Sequence, residues 1–115
     1  MIPIESVETI EQLDEILQTS VPVFLFKHST ACPISHYALA EFKKFAGNVE
    51  HPSLKLYLID LLKYREISNA VQQRTGVRHQ SPQAILLHNG SVVWHASHSA
   101  IMADKLEQAM RDLCS

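Results

Sequence analysis

Hydrophobic and polar positions follow two different periods along the chain, and these predict four helices and four strands, with a fifth strand before the first helix. Apolar residues three and four positions apart predict helices over Thr9 to about Leu17, Pro33 to about Phe45, Lys63–Arg74 and Met102–Leu113. Short apolar or alternating runs predict strands at Val21–Phe26, Leu54–Asp60, Gln83–His88 and Ser91–His95. The resulting order, (β)αβαβαββα, predicts an α/β fold with a central mixed β-sheet flanked by helices.

Short local signals support the ends of these elements. Thr9 and Gln12 are spaced as in a capping box, which satisfies backbone donors at the start of a helix. Gly76 follows the third helix at the position where a left-handed residue ends a helix. Asn89-Gly90 is the strongest short signal for a hairpin turn, so the last two strands are predicted to be antiparallel neighbours.

Length and composition indicate a single domain over residues 1–115. The chain has 46% hydrophobic and 19% charged residues, which is typical of soluble globular proteins. A net charge of −2 gives no electrostatic reason to expect nucleic acid or an anionic membrane surface as a partner. The N-terminal residues lack the pattern of a secretory signal, and the two cysteines are far apart. We therefore expect a cytoplasmic protein.

The segment with the strongest chemical signal is His28–Ser35, where the second strand gives way to the second helix. Pro33 suits the first helical position, which places Cys32 at or near the N-cap. Unpaired backbone N–H groups and the positive end of the helix dipole favour the thiolate there, and the thiolate is the nucleophilic form of cysteine. Pro33 has no N–H, so such a thiolate would depend on the N–H groups of Ile34 and Ser35. The alternative is an inert, buried cysteine.

Ser35 stands where a second cysteine would complete a Cys-x-x-Cys pair. Its hydroxyl can donate a hydrogen bond to a Cys32 thiolate, yet it cannot resolve a mixed disulfide. A mixed disulfide on Cys32 would therefore be released by the thiol of another molecule, which is monothiol exchange. The alternative is an ordinary first-turn serine that satisfies a backbone group. Cys114 is predicted to lie about 20 Å from Cys32 at the far end of the last helix, as a bystander or an intermolecular contact.

Nearly the whole chain resembles the thioredoxin superfamily, which implies a thioredoxin-like fold. The strand–Cys–Pro–helix element, Gly76 after the third helix and a proline before the final hairpin occur in the expected order. In that superfamily a cis-proline faces the active cysteine, and Pro82, preceded by Ser81, matches its position. The backbone of Ser81 would then pair with an extended substrate. Phe26 replaces the buried acid of thioredoxins, which argues against a dithiol disulfide reductase.

More closely, Lys27–Ser35 and Ser81-Pro82-Gln83 resemble the monothiol bacilliredoxins, whose members are described as bacillithiol system redox-active proteins or general stress proteins. The resemblance implies an enzyme, a thiol–disulfide oxidoreductase. It would remove bacillithiol from mixed disulfides of client proteins through Cys32. Bacillithiol would be a co-substrate, and no bound cofactor would be needed. The seven histidines show no ligand spacing with cysteine, so no structural metal site is predicted.

The candidate site then consists of Cys32 and Ser35 as catalytic residues and a substrate-binding set, namely Lys27, His28, Pro33, Ser81 and Pro82. Lys27 and His28 could stabilise the thiolate or meet a carboxylate on the malate part of bacillithiol. The alternative for this pair is a solvated lysine and a surface histidine. His79, three residues before Pro82, could line the same cleft but fits an ordinary loop better.

Two functions of another class remain open from the sequence. Monothiol glutaredoxins share a 2Fe–2S cluster between two chains, but the Cys-Pro-Ile-Ser segment lacks the Gly-Phe of their usual motif. A non-redox adaptor with a peptide-binding groove is the other. A spectrum after anaerobic reconstitution tests the first, and rapid alkylation of Cys32 at neutral pH would contradict the second.

Overall fold

The structure, a computed structural model, describes residues 1–114 as alternating strands and helices. In chain order the elements are β1 (Ile4–Ser6), α1 (Ile10–Gln18), β2 (Val23–His28), α2 (Pro33–Asn48), β3 (Lys55–Asp60), α3 (Arg65–Thr75), β4 (Gln83–His88), β5 (Ser91–Ser97), a 3-10 turn (His98–Ala100) and α4 (Ala103–Cys114). The five strands form one sheet in the order β1-β3-β2-β4-β5. β1 and β2 are parallel to β3, whereas β4 is antiparallel to both β2 and β5. The predicted α/β class and mixed sheet are confirmed.

The two faces of the sheet carry separate hydrophobic clusters. Side chains of a strand alternate between the faces, so Phe24 and Phe26 pack under α2 and α4 while Val23 and Leu25 pack under α1 and α3. The ring of Phe26 stacks on that of Phe42 with centroids 5.0 Å apart. β2 is the central strand of the sheet, and all six of its residues are buried.

β2 begins and ends two residues later than the predicted strand Val21–Phe26, and this shift matters for the site. The apolar run stops at Phe26, but the strand continues through Lys27 and His28, which pair with Ile59 and Asp60 of β3. Both polar residues are buried, because α3 covers one face of the strand end and α2 covers the other. The turn that leads to α2 therefore begins at Ser29.

The predicted hairpin and helix end are confirmed by the backbone. Asn89 and Gly90 both have positive φ values, 54° and 75°, as a tight hairpin between β4 and β5 requires. Gly76, with φ of 76°, ends α3 in the left-handed conformation. Among residues 1–114, no helix combines the length and apolar character needed to cross a membrane.

Candidate active site

Cys32 is the N-cap residue of α2, at the end of the sheet where β2 finishes and β4 begins. Pro33 occupies the first helical turn, and the N–H groups of Ser35 and His36 donate to the carbonyl oxygen of Cys32 at 3.0 and 3.3 Å. The Cys32 side chain is partly exposed, is not in a disulfide and makes no capping hydrogen bond. The predicted N-cap position is confirmed, but the N–H of Ser35 is used by the main chain of Cys32 rather than by its sulfur.

Ser35 lies one turn after Cys32 and is completely buried. Its Oγ atom accepts a hydrogen bond from the N–H of Ser29 at 2.9 Å and lies 2.8 Å from Nδ1 of His28. The sequence suggests a hydroxyl that donates to the Cys32 thiolate, whereas the structure gives the oxygen these two other partners. Ser35 thus ties the start of α2 to the end of β2 and fixes the turn that carries the cysteine.

His28 is only 5% exposed, so it is neither a surface histidine nor free to bind substrate directly as the sequence suggests. Its ring meets the ring of His36 edge-on with centroids 5.0 Å apart, and Nε2 of His36 lies 2.9 Å from the carbonyl oxygen of Thr30. Burial lowers the pKa of His28, and the neighbouring His36 adds to this effect. His28 is therefore neutral at neutral pH.

Lys27 points to the opposite face of the sheet from His28. Its side chain is 0% exposed, and Nζ donates to the carbonyl oxygen of Ser68 at 3.1 Å and lies 3.1 Å from Nδ1 of His79. Burial lowers the pKa of Lys27 to about 8. The expected contact with a bound thiol or with the thiolate is corrected here, because α3 covers the ammonium group. The alternative of a solvated lysine is wrong for the same reason.

The segment before β4 is held by side chains from several elements. The Ser81–Pro82 peptide bond is cis, as the resemblance implied, and Pro82 is buried. The N–H of His79 donates to Oε1 of Gln72 at 2.6 Å, and Nε2 of Gln83 donates to the carbonyl oxygen of Arg78 at 3.0 Å. The carbonyl oxygen of Pro82 accepts from the N–H of His98 at 3.0 Å.

The sequence gives no role to four of these contributors: His36, Ser68, Gln72 and Gln83. Ser68 acts through its carbonyl oxygen, which leaves no trace in the sequence. Gln83 is a polar residue at the start of an otherwise apolar strand and is only 1% exposed. That combination is a usable signal for a buried polar contact, since buried amides are usually hydrogen-bonded.

An apolar groove of about 460 Å³ opens beside the first turns of α2. Three of the large exposed hydrophobic side chains line it, namely Ile34, Tyr37 and Met102. It extends to His98 of the 3-10 turn, whose backbone is bonded to Pro82. A hydrophobic surface therefore begins two residues after Cys32.

The second cysteine lies at the other end of α2. Cys114 is exposed and lines a separate cavity with Asn48, the last residue of that helix, and with His51, three residues beyond it. A 16-residue helix is about 24 Å long, so the two cysteines are at remote ends, in agreement with the expected separation. Within residues 1–114, no cluster of three or more His, Cys, Asp or Glu side chains is suited to hold a metal ion.

The family is decided by a match over most of the chain. The family model described as monothiol bacilliredoxin BrxC matches residues 5–106. The chain belongs to this family. A solved structure described as a candidate oxidoreductase with a thioredoxin fold is 32% identical, with 93% of each chain covered and a TM-score of 0.84.

More distant structures agree on the fold. Thioredoxin from Trypanosoma brucei brucei is 20% identical, covers 97% of this chain and 91% of its own, and has a TM-score of 0.79. Thioredoxin from Malassezia sympodialis is 15% identical over 97% of this chain and 91% of its own, with a TM-score of 0.72. This bacilliredoxin therefore has the thioredoxin fold, and its family and fold support a thiol redox role.

Proposed function

We propose that this bacilliredoxin is a monothiol thiol–disulfide oxidoreductase that removes bacillithiol from mixed disulfides of client proteins through Cys32. The observation that carries the proposal is a partly exposed cysteine at the N-cap of α2, followed three residues later by a serine. A helix N-terminus favours the thiolate. Ser35 cannot close an internal disulfide, and Cys114 lies beyond the far end of α2.

The first step is an attack by the Cys32 thiolate on the bacillithiol sulfur of a modified client. A new S–S bond forms between Cys32 and bacillithiol while the old S–S bond breaks, and the client cysteine leaves as a thiolate. In the second step the thiolate of another bacillithiol attacks the bacillithiol sulfur on Cys32. The bond between Cys32 and bacillithiol breaks, the symmetric bacillithiol disulfide forms and the Cys32 thiolate returns. The client cysteine is reduced and the second bacillithiol is oxidised, while the first bacillithiol stays at the disulfide level throughout.

Access to both reactants is provided by the surroundings of Cys32. The groove along Ile34, Tyr37 and Met102 can take an apolar side chain of the client next to its modified cysteine. The backbone at Ser81 can pair with an extended client segment, as in other cases of strand addition. We place this reaction in the cytoplasm, where free thiols persist.

The experiment that tests the proposal is intact mass measurement after the reduced protein meets a test protein carrying one bacillithiol. Wild type is expected to gain the mass of one bacillithiol, Cys32→Ser to gain none, and Cys114→Ser to gain as much as wild type. Excess bacillithiol should then remove the added mass from wild type. The proposal fails if both single variants lose transfer equally, or if Cys32→Ser still accepts bacillithiol.

The identity of the small thiol is tested in parallel. The same test protein carrying glutathione in place of bacillithiol serves as the matched control. Faster transfer from the bacillithiol form supports bacillithiol as the co-substrate, whereas equal or faster transfer from the glutathione form overturns that assignment and leaves monothiol exchange intact.

A further inference from the structure

Lys27 is a fully buried lysine in the central strand, and the proposed reaction does not use it. Burying an ammonium group is costly because the group loses its hydration. Here the group meets two neutral partners, the carbonyl oxygen of Ser68 and Nδ1 of His79, each at 3.1 Å. An ammonium group can only donate, so Nδ1 is the acceptor in this contact. An apolar side chain of similar length would avoid the loss of hydration, so stability alone does not account for a lysine at this position.

Through His79, Lys27 reaches the loop between α3 and β4. Two side-chain amides hold the same loop: Oε1 of Gln72 accepts from the N–H of His79 at 2.6 Å, and Nε2 of Gln83 donates to the carbonyl oxygen of Arg78 at 3.0 Å. Gln83 is the cross-strand partner of Lys27, so the amide and the ammonium group reach the loop from adjacent points of the sheet. Side chains from β2, α3 and β4 therefore fix the backbone of this loop together.

Ser81 is the residue of this loop with which the proposed client segment pairs. It is half-buried and lies outside the ladder of β4. Within residues 1–114 its N–H and carbonyl oxygen have no backbone partner, as strand addition by a client requires. Ser81 lies two residues after His79 and two before Gln83, so the contacts of these two residues determine where its backbone lies.

We propose that Lys27 is a positioning residue for client binding, because its ammonium group, through His79, holds the loop between α3 and β4 in the shape with which the client main chain pairs. A loop that is fixed beforehand loses little conformational entropy when the client binds. Without the ammonium group the client itself has to order the loop, so the affinity for the client falls. The chemistry at Cys32 stays the same, since Lys27 contacts α3 and the loop rather than α2. The inference rests on the proposed function for the identity of the client.

The test follows bacillithiol transfer by intact mass over a range of concentrations of the modified test protein. Lys27→Met keeps an apolar stem without the charge, and Lys44→Ala, at an exposed position of α2, is the control. In Lys27→Met we expect the half-saturating client concentration to rise roughly three- to tenfold, the size of one lost hydrogen bond, with an unchanged limiting rate. Alkylation of Cys32 by iodoacetamide, measured with Cys114→Ser as the parent, should not change. An unchanged half-saturating concentration, or slower alkylation, would overturn the inference.

Two substitutions of His79 separate the loss of the contact from the loss of the ring. Asn offers an amide oxygen as an acceptor for Lys27, whereas Leu offers none. His79→Asn should therefore keep the half-saturating concentration close to that of wild type, while His79→Leu should resemble Lys27→Met. The double variant Lys27→Met with His79→Leu should bind the client no more weakly than either single variant, because both changes break the same contact. Additive losses, or equal losses from Asn and Leu, would contradict the proposal.

Hydrogen exchange of the backbone amides of His79–Ser81 tests the loop without a client or a thiol. Exchange there should be faster in Lys27→Met than in wild type and unchanged in Lys44→Ala, with equal exchange at the start of α2 in all three proteins. Unchanged exchange in Lys27→Met overturns the inference even where wild type transfers bacillithiol normally. If wild type transfers none, the proposed function fails, and the exchange of the loop still decides whether Lys27 holds it.

Discussion

Lys27 and His28 are consecutive buried polar residues at the end of one strand, yet they organise different parts of the site. Lys27 turns towards α3 and holds the backbone at Ser68 and the ring of His79. His28 turns towards α2 and holds Ser35, one turn after the cysteine. Adjacent positions on a strand face opposite sides of the sheet, so neighbours in sequence work on separate layers.

The two residues also differ in how close their hydrogen-bond partners lie to Cys32. Ser35 comes three residues after Cys32, so His28 is bonded to the helical turn that follows the cysteine. Lys27 reaches the loop before the cis-proline through His79 and acts on the shape of that loop. We therefore expect changes at Lys27 to alter stability first, and changes at His28 to alter the reactivity of Cys32 first.

The largest effect on stability is expected from Lys27→Ala. It removes a buried aliphatic stem and the ammonium group that donates to the carbonyl oxygen of Ser68 and lies 3.1 Å from Nδ1 of His79. We expect a loss of about 2–4 kcal/mol in the free energy of unfolding, measured in urea. Lys44→Ala, at an exposed position of α2, is the control and should change it by less than about 0.5 kcal/mol. Equal changes in the free energy of unfolding for the two variants would contradict a structural role for Lys27.

The charge on Lys27 gives a separate test in alkaline solution. The pKa of Lys27 is lowered to about 8 by burial, against an ordinary value of 10.5. Between these values the unfolded chain binds a proton that the folded chain has lost, so stability rises with pH, by at most about 3 kcal/mol. The free energy of unfolding is measured against pH for wild type and for Lys27→Met, and the difference between the two curves isolates the contribution of the Lys27 amine. Parallel profiles for the two proteins would contradict it.

Gly90→Ala separates a loss of stability from a loss of reactivity. A Cβ atom at Gly90 would lie 2.6 Å from the carbonyl oxygen of Leu17, and φ is +75°. We expect a loss of about 1–3 kcal/mol with an unchanged Cys32 alkylation rate, because the hairpin is at the other end of the sheet. Gly47→Ala, in open space on α2, is the control and should gain about 0.5–1 kcal/mol. Slower alkylation of Cys32 in folded Gly90→Ala would contradict this separation, because a loss of stability at the hairpin would then also lower the reactivity of the cysteine.

The smallest effect is expected in the dependence of stability on pH below 6.5. Burial lowers the pKa of both His28 and His79 below 6.5, and His36 and Lys27 respectively add to this effect. The unfolded chain therefore binds more protons just below pH 6.5, and stability falls as the pH falls through this window. Unfolding from pH 7 to 5 should be less pH-dependent in His28→Asn and in His79→Asn than in wild type. An equal slope in all three proteins would contradict both burial effects.

The element order was predictable because each element carries a local signal. Pro33 has a backbone angle suited to a helix start and lacks the N–H that a helix interior needs, so it marks the beginning of α2 and puts Cys32 at the cap. Asn89-Gly90 tolerates the positive φ values of the hairpin. The end of β2 was predicted two residues too early, because the polar side chains of Lys27 and His28 interrupt an apolar run that the strand continues.

The sequence by itself determined the fold class, the position of Cys32 at a helix start and the absence of a cysteine three residues later. These follow from local backbone preferences and from residue identity. Only the tertiary structure decided that Lys27 is buried against residues 41 and 52 positions away. It also decided that Ser35 bonds to His28, since several arrangements of the turn are open to this local sequence. The packing of α2 and α3 on opposite faces of β2 selects these contacts.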